Sequence, residues 1–315
     1  MTTDVFGQGD FGRRFDWGPG GAAAIAPGTA FVAVVDVLSF TTALTVAVEH
    51  GTAVLPYRWR DDSAAAAAAR HRAELAVGRS AAGPGEISLS PATIVAAASR
   101  RRIERLVLPS PNGSTISAGL AAAGVTVVGV CLCNAAAAAR WVREQAAGRP
   151  VAVVAAGERW PDGSLRPAVE DLWGAGAFLH FLTEPPTGGS AGERSTGLSP
   201  EARAAVAAYR AIAGDLPGAV LGVQPGAVLG VQPGAVLGVQ PGAVPGVQPG
   251  AVPDVLPGVL PGAVPGDPAG VLAETASRRE LIAGGYRSDV EVAAAAGASD
   301  VVPVLRDGWF REARS

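Results

Sequence analysis

Apolar runs alternate along this chain with alanine-rich stretches of helical character, which is the pattern of strands connected by helices. The first run, Phe31–Val35, is rich in Val and ends at Asp36, so it predicts a buried strand of a parallel sheet. A helix is predicted from there to His50. Further strands are predicted at residues 53–57, 105–108, 125–130, 151–155 and 301–305. The sequence therefore predicts an α/β fold with mostly parallel sheets flanked by helices.

The predicted helices follow these strands, and alanine, which has the best helix propensity, dominates several of them. They are predicted at about residues 61–77, 92–102, 115–123, 134–145, 170–181, 199–213 and 272–283. A turn is predicted at 160–167. Residues 1–29 are predicted to be an N-terminal leader with little regular structure, and residues 30–315 to form a single domain.

An octapeptide repeat interrupts the domain. The sequence Gly-Ala-Val-Leu-Gly-Val-Gln-Pro begins at Gly218, recurs from Gly226 and Gly234, and fades out near Pro268. Proline in every copy prevents a regular helix, and glycine adds backbone entropy. Because long loops add little closure entropy, residues 218–268 are interpreted as a low-complexity insertion that the fold can carry. A solenoid built from the repeats is the alternative.

Charge and cysteine content limit the classes of partner and compartment. The net charge is −3 at pH 7, so neither nucleic acid nor an anionic membrane is an expected partner. No apolar run reaches membrane-spanning length without charges or glycines. Cys131 and Cys133 are predicted to lie on one strand, facing the same side and poorly placed to bridge each other. Because no other cysteine is present, they predict a reducing, cytoplasmic location.

Polar side chains follow the first predicted strand. Asp36 is followed by three hydroxyl residues at the start of the next helix: Ser39, Thr41 and Thr42. Ligands of open α/β sheets bind at the carboxyl ends of strands, so this carboxylate and these hydroxyls can hold a metal ion and an anion. The alternative, which this stretch alone favours, is that Asp36 caps the helix and the hydroxyls bond backbone amides.

A second strand end has the form of an anion site. The strand at 105–108 leads into a polar, glycine-containing turn and then a helix. The turn carries Asn112, Gly113, Ser114 and Thr115. Free backbone N–H groups at a helix start attract anions, and the hydroxyls add donors. The alternative is an ordinary N-capped helix. Asn134 opens the helix after the strand at 125–130.

Carboxylates are placed where a parallel sheet would bring them together. Glu158 follows the strand at 151–155, and Glu170 and Asp171 lie early on the next helix. Acidic residues in a first helical turn often do no more than complement the helix dipole. Convergence of these three with Asp36 would instead provide oxygen ligands for Mg²⁺, which prefers a few such ligands together with a substrate phosphate.

Four short stretches, taken in order along the chain, carry a resemblance to a known family. They are Val35-Asp-Val-Leu-Ser-Phe-Thr-Thr42, Ser110-Pro-Asn-Gly-Ser-Thr115, Ala155-Ala-Gly-Glu158 with Glu170-Asp171, and Ser277-Arg-Arg-Glu-Leu281 with Asp289. In this order and spacing they resemble the motifs of the 2-phosphosulfolactate phosphatase family, the ComB-like proteins. The resemblance runs from about Phe31 to Phe310 and excludes the repeats.

The resemblance implies an α/β fold and Mg²⁺-dependent hydrolysis of a small anionic phosphoester, 2-phosphosulfolactate, to sulfolactate and phosphate. The alternative is a non-catalytic relative that acts as an anion-binding or interaction module. The candidate catalytic residues are Asp36, Glu170 and Asp171, and whether Asp36 is a nucleophile or a metal ligand is left open. The candidate Mg²⁺ ligands are Asp36, Glu158, Glu170 and Asp171. The candidate substrate-binding residues are Ser39, Thr41, Thr42, Arg79, Asn112, Gly113, Ser114, Thr115 and Asn134.

The chain departs from the family's motifs at two places near the expected site. Ser39 stands where the family usually has Arg, whose planar fork suits phosphate or sulfonate. The family's Gly-Glu-Arg is reduced to Gly78-Arg79, so Arg79 is the expected partial substitute, from a loop at residues 78–91. The expected partner is a small phosphorylated substrate, and a homo-oligomer is left open.

Overall fold

The structure, a computed structural model, describes residues 6–58, 61–183, 197–214, 272 and 274–313. Its strands are β1 (Arg13–Trp17), β2 (Phe31–Val35), β3 (Ala53–Tyr57), β4 (Glu74–Leu75), β5 (Arg105–Pro109), β6 (Val127–Val130), β7 (Val151–Ala155), β8 (Glu158–Arg159), β9 (Leu165–Arg166), β10 (Pro303–Arg306) and β11 (Trp309–Glu312). Its helices are α1 (Gly18–Ile25), α2 (Phe40–Glu49), α3 (Asp62–His71), α4 (Pro91–Ala98), α5 (Gly113–Ala122), α6 (Ala135–Ala146), α7 (Val169–Thr183), α8 (Pro200–Ala213), α9 (Ala276–Ala283) and α10 (Arg287–Ala294). The predicted repeat insertion at 218–268 lies outside the described residues.

One sheet contains nine of these strands, in the order β1-β7-β2-β6-β10-β11-β3-β5-β4. β10 and β11 are antiparallel to each other and to their outer neighbours, β6 and β3, whereas the other pairs are parallel. β8 and β9 form a separate antiparallel hairpin. The chain is therefore α/β, with a mostly parallel mixed sheet flanked by helices, as predicted. None of the helices described is both long and apolar enough to cross a membrane.

β2 shows how helices cover both faces of the sheet. Its five residues are all buried, and alternate residues face opposite sides because side chains alternate along a strand. Val32 and Val34 pack with apolar residues of α1, α2, α4 and α5. Ala33 and Val35 pack with those of α6, α7 and α8. Burial on both faces explains why this strand is a continuous apolar run.

The sheet is curled, and the curl brings distant strand ends together. β2 and β5 are five strand steps apart, which in a flat sheet would separate them by about 24 Å at about 4.8 Å per step. Nevertheless, the backbone N–H of Gly113, after β5, donates to Oδ2 of Asp36, after β2, over 2.9 Å. A Cβ atom at residue 113 would lie 2.6 Å from Cδ1 of Phe40 and 2.7 Å from that carboxylate oxygen. Glycine at this position therefore permits the close approach.

The N-terminal segment differs from its prediction. Little regular structure was expected over residues 1–29, but β1 pairs in parallel with β7, and α1 follows it directly. Arg14 is buried, and its guanidinium donates to the carbonyl oxygens of Ile25 and Pro27. The strand was missed because charged residues occupy three of its five positions, as is common for strands at a sheet edge.

Of two predictions at the ends of strands, one agrees with the structure and one is corrected. The turn predicted at 160–167 connects β8 to β9, although its residues 165–166 form β9 itself. Cys131 and Cys133 lie in the turn after β6 rather than on the strand, and both are buried free thiols. β11 was not predicted, because its two aromatic residues are followed by two charged ones, without the alternation typical of a half-buried strand.

Candidate functional site

A cleft at the carboxyl ends of the strands is the candidate functional site. It has a volume of about 410 Å³. Four of the predicted site residues line it: Ser39, Arg79, Asn112 and Glu158. α9 and the segment after it supply another wall, which includes Ser277, Glu280, Leu281 and Tyr286. The cleft therefore joins strand ends from the first half of the chain to the helices that follow the repeats.

Asp36 lies buried at the end of β2, next to the cleft. Its Oδ2 atom accepts the hydrogen bond from the N–H of Gly113. Burial raises the pKa of Asp36 to about 7, and the negative charge of Glu158 adds to the rise. The backbone N–H groups of Gly113 and Phe40 and the charge of Arg79 oppose it. A cation that approaches such a carboxylate stabilises its ionised form.

Glu158 begins β8, where the chain leaves β7. Its Oε2 atom accepts a hydrogen bond of 3.2 Å from Nδ2 of Asn112, so the turn after β5 also holds this carboxylate. Burial raises the pKa of Glu158, whereas the nearby Arg166 opposes the rise and Glu170 adds to it. The buried Asp36 and the half-buried Glu158 are thus two carboxylates close enough for the charge of Glu158 to raise the pKa of Asp36.

Asp171 connects the ends of two neighbouring strands. Its Oδ1 atom accepts from the N–H of Val37, after β2, over 2.7 Å, and its Oδ2 atom accepts from the N–H of Gly157, after β7, over 2.9 Å. Burial raises the pKa of Asp171 well above its usual range, with Asp36 and Glu170 adding to the rise. Because both oxygens already bond backbone groups, this residue orients the strand ends rather than facing the cleft.

Glu170 precedes Asp171 in the first turn of α7 and is 2% exposed. Its negative charge raises the pKa of Glu158, so the two carboxylates lie close together. Glu170 is therefore a third oxygen donor available beside Glu158.

These carboxylates do not form a closed metal cage. In the part of the chain that the structure describes, no three His, Cys, Asp or Glu side chains are grouped closely enough to hold a metal ion. Mg²⁺ commonly binds through one or two carboxylates, several waters and a substrate phosphate. The buried Asp36, the half-buried Glu158 and the nearby Glu170 fit a cation of that kind.

Four hydroxyl groups that were predicted to bind substrate donate hydrogen bonds to the backbone instead. Each donates to a carbonyl oxygen near its own strand end. The contacts are Thr41 to Asp36 (2.8 Å), Thr42 to Val37 (2.5 Å), Ser114 to Leu108 (2.7 Å) and Thr115 to Ser110 (3.2 Å). The hydroxyls therefore bond the backbone, as the alternative interpretation expected, but through carbonyl oxygens rather than amides. The N–H of Gly113 is likewise occupied, by Asp36.

Asn134 is fully buried and is not among the residues that line the cleft. Its Oδ1 atom accepts from the N–H of Cys131 over 2.9 Å. Its Nδ2 atom donates to the carbonyl oxygens of Gly129 and Val301 over 3.1 and 3.0 Å. Asn134 thus holds the end of β6 to the segment before β10, and the structure gives it a structural place rather than a substrate-binding one.

Arg79 lies where the sequence placed it, in a loop over the strand ends. Its Nε atom pairs with Oδ2 of the buried Asp289 at 2.9 Å, and its Nη2 atom donates to the carbonyl oxygen of Leu38 over 2.8 Å. Ser90 donates to the other oxygen of Asp289. The guanidinium is therefore fixed next to Ser39, and within the described residues no protein group accepts from its Nη1 atom.

Sequence reasoning gave no site role to Glu280 or Tyr286, although both line the cleft. They follow the repeats, and nothing in the local pattern shows that α9 returns to the ends of β2 and β5. The resemblance at residues 277–281 and at Asp289 was the signal that this part of the chain belongs to the site.

A family model described as 2-phosphosulpholactate phosphatase matches residues 23–229. This is about two thirds of the 315 residues. The chain belongs to this family. The suspected resemblance is confirmed, and the family is one of phosphatases, which hydrolyse phosphoesters. A comparison with curated proteins finds no match.

The limits of the match bear on the predicted organisation. It begins within α1, so it includes the last seven residues of the predicted leader, 23–29. It ends at residue 229, so it includes three of the four stretches that carried the resemblance. The fourth, at 277–281 with Asp289, is connected to the site by the cleft and by the contact with Arg79.

Arg79→Ala is expected to weaken the binding of inorganic phosphate by about tenfold or more, because a hydrogen bond to a charged group contributes about 1.5–3 kcal/mol. Arg79→Lys should give an intermediate affinity, since it keeps the charge but not the fork. Calorimetric titration with phosphate at fixed Mg²⁺ measures the effect. Arg140→Ala, which removes an exposed arginine paired with Asp300, is the control. Unchanged phosphate affinity in folded Arg79→Ala protein would exclude a substrate-binding role for Arg79.

Proposed function

We propose that the chain is a Mg²⁺-dependent phosphatase that hydrolyses a small anionic phosphoester, for which 2-phosphosulfolactate is the reference substrate. The observation that carries the proposal is the buried Asp36 carboxylate beside a cleft whose wall holds the Arg79 guanidinium. A carboxylate and a fixed cation at the carboxyl ends of parallel strands suit the binding and reaction of a phosphoryl group.

Asp36 and Glu158 would hold Mg²⁺, with Glu170 as a further oxygen donor. The ion would neutralise phosphoryl charge and lower the pKa of a bound water. Arg79 would bind the non-bridging phosphate oxygens through its uncommitted N–H groups. Asn112, which already orients Glu158, would keep that carboxylate turned towards the cleft.

Asp36 has two chemically distinct roles open to it. As a nucleophile, a carboxylate oxygen bonds to phosphorus while the bond from phosphorus to the ester oxygen breaks and the alcohol leaves with a proton from solvent. Water then hydrolyses the aspartyl phosphate and regenerates the carboxylate. As a metal ligand, Asp36 leaves the attack on phosphorus to water. Trapping with hydroxylamine during turnover distinguishes the two, because it reacts with an aspartyl phosphate.

Phosphate release from a panel of phosphoesters, 2-phosphosulfolactate included, tests the proposal. The purified chain is assayed with Mg²⁺ and with a chelator in its place. Release that requires Mg²⁺ supports the proposal. An absence of turnover with every ester would refute it.

The second candidate is a non-catalytic relative that keeps an anion site. Two observations favour it: Ser39 offers the cleft a short hydroxyl where the family usually has Arg, and the described carboxylates form no three-ligand group. Saturable calorimetric binding of phosphorylated or sulfonated acids without turnover would support it. A cytoplasmic location and a homo-oligomer stay predictions from the sequence.

A further inference from the structure

Among the described residues that line the cleft, Arg79 is the one with a positive charge. That guanidinium is shared with Asp289 and with the carbonyl oxygen of Leu38. Its free N–H groups can bind one anionic group. If the phosphate of the proposed phosphatase reaction binds there, the described lining residues include no second arginine or lysine for a second anion on the same substrate.

A nearby cation is engaged elsewhere. Arg166 lies behind Glu158 and opposes the rise of its pKa. The guanidinium of Arg166 donates to Oγ of Ser277 over 3.3 Å and stacks on the ring of Trp160 at 5.8 Å from its centroid. Arg166 therefore balances Glu158 and holds α9 against the hairpin, and it is not among the residues that line the cleft.

Glu280 adds a negative charge at the mouth of the cleft. It lies on α9, is exposed, and adds to the rise in the pKa of Glu158. Within the described part of the chain no cation pairs with it. The neighbouring lining groups of this wall are the hydroxyls of Ser277 and Tyr286. This wall therefore repels carboxylates and sulfonates and accepts hydrogen bonds from hydroxyl or ammonium groups.

We propose that the cleft takes phosphomonoesters whose organic part carries hydroxyl or ammonium groups and no second anion. The negative charge of Glu280 selects against a second anion on the substrate. Ser39, which has no positive charge, offers such an anion no compensating cation. The inference rests on the proposed function in one respect, which is that the phosphate lies at Arg79. It departs from the family's reference substrate, whose organic part carries both a sulfonate and a carboxylate.

The test uses three phosphonates of matched size that cannot be hydrolysed. They are 2-hydroxyethylphosphonate, 2-aminoethylphosphonate and phosphonoacetate, which differ in having a hydroxyl, an ammonium or a carboxylate at the far end. Binding to the full chain is measured by calorimetry with Mg²⁺ in excess. Phosphonoacetate is expected to bind about tenfold or more weakly than the other two, and the difference should shrink at high salt because an exposed charge is screened.

Variants assign the selectivity to its residues. Glu280→Gln is expected to strengthen phosphonoacetate binding by about threefold to tenfold and to leave 2-hydroxyethylphosphonate nearly unchanged. Ser39→Arg should strengthen phosphonoacetate binding further, because it adds a planar cation beside the cleft. Glu201→Gln is the matched control, because Glu201 is an exposed residue of α8 and is not among the residues that line the cleft.

The outcomes separate this inference from the proposed function. Equal or tighter binding of phosphonoacetate overturns the inference, as does a failure of all three phosphonates to bind. If the phosphoester panel is hydrolysed with 2-phosphosulfolactate as the best substrate, the inference is also overturned, but the proposed phosphatase function is supported. The expected binding preference without any turnover supports the inference and refutes the phosphatase.

Discussion

Asp36→Asn is expected to abolish Mg²⁺-dependent phosphate release and, in the metal-free protein, to raise the free energy of unfolding at neutral pH. Activity should fall by about a thousandfold or more, because the variant loses either a nucleophile or a metal ligand. The fold should persist, since the amide oxygen of Asn can still accept from the N–H of Gly113. The gain in unfolding free energy should be about 1–3 kcal/mol, because a buried carboxylate near Glu158 is removed.

The pH dependence of this gain in unfolding free energy follows from the direction in which folding shifts the pKa of Asp36. The pKa of Asp36 is about 7 in the folded protein, against about 3.9 for an unfolded Asp. Between these values the unfolded chain has lost a proton that the folded chain keeps, so the unmodified protein loses stability as pH rises from about 4 to about 7. Asn carries no such proton. The two proteins should therefore be most alike near pH 4 and differ most above pH 7.

Urea unfolding in a chelator, at several pH values, measures this prediction beside the assay of phosphate release. Asp300→Asn is the control, because the side chain of Asp300 is 85% exposed and should change neither quantity. Full activity in Asp36→Asn would place the chemistry elsewhere. A loss of stability at pH 8 would mean that the carboxylate of Asp36 is already compensated in the folded, metal-free protein.

The parts of the site that were predicted correctly depend on local pattern. The apolar run at 31–35 fixes β2, and the polar residue that ends it, Asp36, must then lie at a strand end. The same reasoning placed Glu158 after β7 and Asn112 after β5. What these side chains do there was less predictable. A hydroxyl near a helix start is compatible with a ligand or with a backbone carbonyl, and Thr41 bonds the carbonyl.

The parts that were missed depend on contacts between distant segments. Nothing in the residues of β2 and β5 shows that the sheet curls until Gly113 reaches Asp36. β1 was missed because its charged residues hide the apolar pattern, and the placement of Glu280 depends on where α9 packs after the repeats. The close packing of α7 on α8 was not predicted either, because a glycine within a helical pattern indicates only a less stable helix.

Gly176→Ala is expected to lower the free energy of unfolding by about 2 kcal/mol or more, because overpacking a tight contact forces neighbouring elements apart. Gly176 lies within α7, where glycine is normally unfavourable, and it faces α8. An added Cβ would lie 2.1 Å from the carbonyl oxygen of Ala205 and 2.8 Å from Cβ of Tyr209. The nearest obstacle is backbone, which cannot rotate away, so α8 would have to shift as a unit.

Gly119→Ala provides the matched comparison. Gly119 is an exposed residue within α5, and an added Cβ there meets no atom within 4 Å. The same substitution should therefore raise the unfolding free energy by about 0.5–1 kcal/mol, since alanine has less conformational entropy to lose than glycine. Chemical denaturation of both variants beside the unmodified chain measures the two effects. The two glycine-to-alanine substitutions should therefore change the unfolding free energy in opposite directions. A Gly176→Ala variant as stable as Gly119→Ala would show that α7 and α8 do not approach this closely.

Because α7 also carries Glu170 and Asp171 in its first turn, phosphate release by folded Gly176→Ala protein then reports whether the packing of α7 on α8 also holds the carboxylates of the site in place.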